Sequence, residues 1–148
     1  MSLLTDIIFV KALRSNTALM GELPAGDVYN TTIPIPDEEL ENAPIPYIIV
    51  SYDGMQNEGQ TKDNPFEGDT DRVTISVIIV AKTRPQLGEL ATSVRQTIRE
   101  YFDGATELDE DEDLVPFDYA LSAQGVIYDP NKPSYSQVLS YQCDTNIE

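Results

Sequence analysis

Histidine and tryptophan are missing from the 148 residues, and cysteine occurs once, at Cys143. Without histidine, Ser-His-Asp and Cys-His catalysis and every His-ligated metal site are excluded. A single cysteine excludes an internal disulfide, a CxxC redox pair and a cysteine-built zinc site. Positive charge is scarce too. Nine Lys and Arg stand against 26 Asp and Glu, for a formal net charge of −17 at pH 7. Binding nucleic acid by phosphate neutralisation needs a basic surface, so that class is disfavoured, as is docking on an anionic membrane. No apolar stretch approaches the ~20 residues of a membrane-spanning helix. Met1 to Asp6 has no basic residues ahead of its apolar ones, and Asp6 interrupts them. It does not read as a signal peptide, and cytoplasmic synthesis is the expectation. The glycines form neither GxxxxGK[ST] nor GxGxxG, so no phosphate-cradling loop is expected.

What is present suits one domain over residues 1–148, since 41% hydrophobic residues suffice for a core at this length. Leu4, Ile7, Ile8 and the stem of Lys11 recur at helical spacing, predicting an N-terminal helix from Leu3 to Arg14 capped by Ser2 or Thr5. Asn16 to Met20 reads as a further helical turn, ended by Gly21. Val28-Tyr29-Asn30 reads as a short strand before a connector rich in proline and acid, Pro34 to Glu41. Tyr47 to Met55 and Arg72 to Ala81 read as strands joined by a long loop at 56–70. In the second of these, Val73, Ile75, Val77 and Ile79 alternate with Thr74 and Ser76. Ile78 and Val80 then make the other face apolar as well, which predicts a central strand.

Pro85 opens a helix predicted over about 85–103, with Leu87, Leu90, Ala91, Val94, Ile98, Tyr101 and Phe102 in one apolar stripe and Gly104 as its stop. Arg95 and Arg99 lie four residues apart on the flank of that stripe, and Asp103 is placed to pair with Arg99. A second loop at 104–116 precedes a strand on which Phe117, Tyr119, Leu121, Ala123 and Ile127 alternate, with Gly125 as a bulge signal. Asp129-Pro130-Asn131-Lys132-Pro133 is a turn. A last strand puts Tyr135, Leu139, Tyr141 and Cys143 on one face. The order α-β-β-β-α-β-β predicts an α+β fold: a mostly antiparallel sheet of four to five strands with the helices on one face.

The acidic run Glu107, Asp109, Glu110, Asp111, Glu112, Asp113 resembles a calcium loop only at its first three ligand positions. Leu114 stands where the turn glycine belongs and Ala120 where the bidentate acid belongs. A solvated loop is the expectation, with a loose divalent-ion site or an electrostatic docking arm as the alternatives; no metal ligand and no cofactor is assigned. Nothing assigns a carboxylate pair to a pocket, so an acid–base enzyme is not expected. Cys143 reads as a small buried hydrophobe. Strand propensity accounts for most of the tyrosines. Arg95 and Arg99 read first as ordinary helix-surface charges; the sharper reading is that, in a chain with so few cations, they are docking points for acids of another subunit.

Taken together, the N-terminal helix, Val28-Tyr29-Asn30, Pro46-Tyr47-Ile48-Ile49-Val50, the apolar strand Val73 to Ala81, the helix carrying Leu90-Ala91 and Val94-Arg95, and two closing strands make up a recognisable pattern. It resembles the tail terminator, or tail completion, proteins of long-tailed bacteriophages and related prophages, over about residues 3–143. The resemblance implies a non-enzymatic subunit that assembles with itself into a ring, typically a hexamer, at the head-proximal end of the tail tube. Such a ring ends tube polymerisation and meets the head connector, in a virion tail made in a bacterial cytoplasm. It implies the tail tube protein and the head-tail connector protein as partners, with DNA passing through without specific binding and no membrane involved. A DNA conduit gains from an acidic lumen, which the loops at 37–41, 56–71 or 107–113 are candidates to line. Ring closure needs head-to-tail contacts between different patches. The Arg95/Arg99 flank and an acidic loop are one candidate pair, although chains at −17 each repel at low salt. Other readings remain: a different head-tail joining or minor tail component, an acidic protein-binding module that occupies a basic partner, or a metal-dependent carboxylate enzyme.

Overall fold

The computed structural model describes residues 5–24, 26–31, 44–57, 70–105 and 118–146. The chain has helices and a mixed six-stranded sheet, an α+β fold. Its elements are α1 (Thr5–Arg14), α2 (Thr17–Gly21), β1 (Tyr29–Asn30), β2 (Tyr47–Asn57), β3 (Thr70–Ala81), α3 (Arg84–Ala105), β4 (Asp118–Ala123), β5 (Ile127–Asp129) and β6 (Ser134–Asn146). Strand order across the sheet is β1-β2-β3-β6-β4, with β5 also on β6. Among the described residues, β1 pairs in parallel with β2 and the other pairings are antiparallel.

The expected four to five strands become six because the penultimate strand is split. Ala123 faces Leu139 and Ile127 faces Ser136, so four steps on one strand match three on the other. This bulge, at the Gly125 signal, inverts the face of everything after it. Ile127 was expected beside Tyr119 and Leu121. It instead stands opposite Ser136 on the other face of the sheet, 59% exposed. The element order also gains α2, which Asn16 caps: its side chain accepts from Ala18 N at 3.1 Å and Leu19 N at 3.2 Å.

α1 runs where the sequence predicted, with Asp6 in its first turn and Lys11 and Arg14 in its last, but it is rotated. The buried residues are Thr5, Ile8, Phe9, Ala12 and Leu13, with Val10 beside them, whereas Ile7 is 51% exposed. A stripe built on Phe9 and Leu13 removes more apolar surface from water than one built on Ile7 and the Lys11 stem. Leu4, the other member of the expected stripe, lies outside the described residues.

α3 buries Leu87, Leu90, Ala91, Val94, Ile98 and Phe102 of the predicted stripe, while Tyr101, its remaining member, is only partly buried. Thr83 caps it: Gln86 N donates to Thr83 Oγ1 at 3.2 Å while Gln86 Oε1 accepts from Lys82 N at 3.0 Å. Asn16 Nδ2 donates to Thr97 Oγ1 at 2.8 Å and ties α2 to α3.

β3 is central, between β2 and β6, and Val73, Ile75, Val77, Ile79 and Ala81 are fully buried on its helix side. They form one core with Ile48 and Val50 of β2, with Leu139, Tyr141 and Cys143 of β6, and with the inner faces of α1 and α3. Four rings close one end of this core. Phe9 meets Phe102 edge-on at 5.2 Å and Tyr141 at 5.1 Å, and Tyr119 lies 5.6 Å from Phe102 and 5.8 Å from Tyr141. In β2 the register shifts between Tyr52 and Gly54, and Gly54 takes φ +150°, a conformation suited to glycine. The bulged Asp53 accepts hydrogen bonds from Ser76 Oγ and from Ser51 Oγ, the latter at 3.1 Å.

A candidate docking groove

The spacing of α3 puts Thr92, Arg95, Gln96 and Arg99 in one row along its flank, at i, i+3, i+4 and i+7. The apolar stripe faces the sheet, so this row rises beside it. β6 is inserted between β3 and β4, and Leu121 stands opposite Tyr141 and Tyr119 opposite Cys143. Tyr119, Leu121 and Tyr141 therefore form the sheet-side wall of a cleft of about 470 Å³, and the α3 row forms the other wall.

Arg95 and Arg99 are both exposed, and neither makes a hydrogen bond or ion pair with a described residue. Of the other three arginines, Arg84 is likewise exposed and without such a partner among the described residues, and two are engaged. Arg14 Nε meets Asp27 Oδ1 at 2.7 Å and Arg72 Nε meets Asp144 Oδ1 at 3.1 Å. Within the groove, Gln96 Nε2 donates to Glu100 Oε1 at 3.0 Å and Thr92 Oγ1 donates to the Gly88 carbonyl at 2.9 Å.

Tyr141 is 1% exposed, and its buried hydroxyl has no hydrogen-bond partner among the described residues. Burial pushes its phenol well above the ordinary value, with Tyr119 adding to the rise and Arg95 opposing it. The hydroxyl thus stays protonated and can donate. The two guanidinium groups beside the cleft are donors of the kind that receive an anion, whereas the Tyr141 hydroxyl is shut away from solvent.

The sequence singled out Arg95 and Arg99, and the structure brings them to the same cleft. It did not single out Tyr119, Leu121 and Tyr141 as their neighbours. Their alternation marked a buried face, but only the sheet order sets that face against the flank of α3. Of the acidic candidates, Glu107, Asp109, Glu110, Asp111, Glu112 and Asp113 lie outside the described residues, as do residues 37–41 and 58–69. The Asp103 side chain, the expected partner of Arg99, is outside them as well.

A second surface lies on the sheet face opposite the helices. Tyr47, Val80, Ser136 and Ile127 form one row across four strands, and Ile49, Ile78 and Val138 form the next. Lys132 Nζ stands 5.6 Å from the Tyr47 ring centre. The double-faced apolar pattern of Ile78 and Val80 was the sequence signal for this patch. Cys143 is fully buried, and burial pushes its thiol up to about 12, with Asp144 adding to the rise.

Among the described residues, no group of three or more His, Cys, Asp or Glu side chains could hold a metal ion. Among those residues, no helix is long and apolar enough to cross a membrane. No protein-family model matches the chain, and no curated protein matches it.

Proposed function

We propose that this chain is a structural subunit that self-assembles head to tail into a ring, as a tail terminator does at the head-proximal end of a phage tail tube. The observation that carries this reading is the groove on α3. Two arginines with no partner among the described residues face outward in a chain with 26 acids and nine bases, which makes a cationic patch complementary to the acidic excess of the chain. The patch and its acidic complement are different surfaces, and such heterologous contacts close into rings. The α+β architecture supports the reading as well, because it carries the elements on which the resemblance rests, in the order expected apart from α2 and the split strand. In this role the chain is not an enzyme. It holds no cofactor, its partners are its own copies, the tail tube protein and the head connector protein, and its acids keep passing DNA from adhering.

Light scattering across protein and Mg²⁺ concentration, with negative-stain imaging, tests the proposal. Rings with a central hole at about six times the 16.4 kDa of one chain are expected. A closed dimer without a hole, independent of concentration, overturns the ring and favours an acidic binding module. A monomer that also leaves purified tail tubes uncapped overturns it equally.

A further inference from the structure

We infer that the sheet edge made by β4 and β5 is a strand acceptor, which pairs with an extended segment of a different protein and sets an acidic side chain of that segment beside Leu121. The choice of a different protein rests on the ring reading; the acceptor itself does not.

A sheet of order β1-β2-β3-β6-β4 has two edges, and they differ. β1 spans two residues, and Thr31 after it takes φ +74°, which ends the strand. β4 runs for six residues, Asp118–Ala123, without a lysine or proline to deter pairing. The ladder to β6 fixes which of its backbone groups point outward. Gln124 N donates to the Val138 carbonyl at 3.0 Å, and Ala123 stands opposite Leu139. Every second residue of an antiparallel strand bonds to its neighbour. Ala120 and Ser122 therefore turn their N–H and C=O to β6. Leu121 and Ala123 turn theirs to the other side, where neither has a partner among the described residues. Such a row of donors and acceptors is matched by another extended backbone.

The side chains agree. β5 lies on the same side of β6, with Ile127 59% exposed on one face and Tyr128 51% exposed on the other. Apolar residues on both faces mark an interior strand, yet β5 stands at the edge. On β4, Leu121 is half-buried against the core, and Ala120, Ser122 and Ala123 are small and exposed, so an added strand meets no bulk. Leu121 also lines the cleft with Arg95 and Arg99. A residue paired opposite Leu121 has its Cβ about 5 Å away and borders that cleft, where a carboxylate is the complementary group.

A second copy offers two edges among its described residues. Its β1 is too short to pair along β4, and β4 against β4 closes a two-fold dimer, which cannot extend into a ring. The donor is therefore another protein, with an extended segment that alternates apolar and polar residues and carries an acid on its apolar side.

Amide exchange of the full chain, read residue by residue by NMR, tests this. In the dilute chain the Leu121 and Ala123 amides should exchange about a hundredfold faster than those of Ala120 and Ser122. The probe is a short capped peptide of alternating valine and threonine, with glutamate in place of its central valine. It should slow Leu121 and Ala123 about tenfold, and its lysine counterpart should bind more weakly. Ala123→Pro removes an outward N–H, so it should melt close to wild type and lose the peptide. Ser122→Pro removes a ladder donor and should melt lower. Slow exchange of Leu121 and Ala123 in the dilute chain means that the chain covers its own edge, and overturns the acceptor. A peptide that leaves both amides unchanged overturns it too. Protection that grows with protein concentration alone makes a second copy the occupant and overturns the foreign donor. Equal binding of the two peptides overturns the acidic side chain. None of these outcomes decides whether rings form, which the mass measurement reads separately.

Discussion

Replacing Phe9 by alanine tests the rotation of α1, and Ile7→Ala is the control that gives it meaning. Helical spacing alone put Ile7 in the apolar stripe; the structure leaves Ile7 51% exposed and Phe9 fully buried. Phe9 touches two rings, Phe102 edge-on at 5.2 Å and Tyr141 at 5.1 Å. Truncating a buried phenylalanine costs about 3–5 kcal/mol through lost transfer energy and the cavity left behind, and each aromatic pair adds about 0.5–1.5 kcal/mol within that total. Against the roughly 5–15 kcal/mol of a typical domain, this is about a fifth of the stability or more. For a chain of this length it lowers the melting temperature by on the order of 10 °C. Ile7→Ala removes half-solvated surface and should cost under about 1 kcal/mol. Urea denaturation followed by far-UV circular dichroism and by tyrosine emission, unobscured in a chain without tryptophan, reads both variants. Equal costs for the two, or Ile7→Ala as the larger, would refute the rotation.

Cys143 yields a prediction about pH. Its thiol rises from 9.0 to about 12 in the folded chain, so the folded state holds its proton where the unfolded state loses it. The stabilisation is complete below pH 9 and is lost as pH rises from 9 toward 12, which denaturation at stepped alkaline pH should show as a falling midpoint. In the same chain a thiol reagent at pH 8 should modify Cys143 only after denaturant is added. Gly54→Ala should destabilise by about 1–3 kcal/mol, because φ +150° strains any residue with a Cβ although the space around it is open. A cost within ±0.3 kcal/mol of wild type would show that the β2 bulge relaxes.

Several elements were legible from residue order because the backbone encodes them locally. Val73 to Ala81 alternates at the period of a pleated strand, and its second apolar face marked it as central, as it is. The stripe from Leu87 to Phe102 repeats at the period of a helix, and all its residues are buried except Tyr101, which is partly so. The six tyrosines Tyr47, Tyr52, Tyr119, Tyr128, Tyr135 and Tyr141 were expected in strands, and all lie there. Misreadings arose where the answer differs by one residue. α1 is turned so that Phe9 displaces Ile7, and the bulge at 124–126 sends Ile127 to the opposite face. Period alone cannot choose between neighbouring registers; the depth of the core they pack against does.

The candidate site divides in the same way. Composition excluded histidine and disulfide chemistry outright, and the scarcity of cations made Arg95 and Arg99 conspicuous before any fold was known. Spacing on one helix put them side by side, because residues four apart on an α-helix share a flank whatever surrounds them. Their partner across the groove was set by long-range pairing. β6 enters the sheet between β3 and β4, which carries Tyr141, more than forty positions along the chain, to the foot of α3. A local pattern states which face of an element is apolar, but the neighbour that covers that face follows from how the whole chain reaches its lowest free energy.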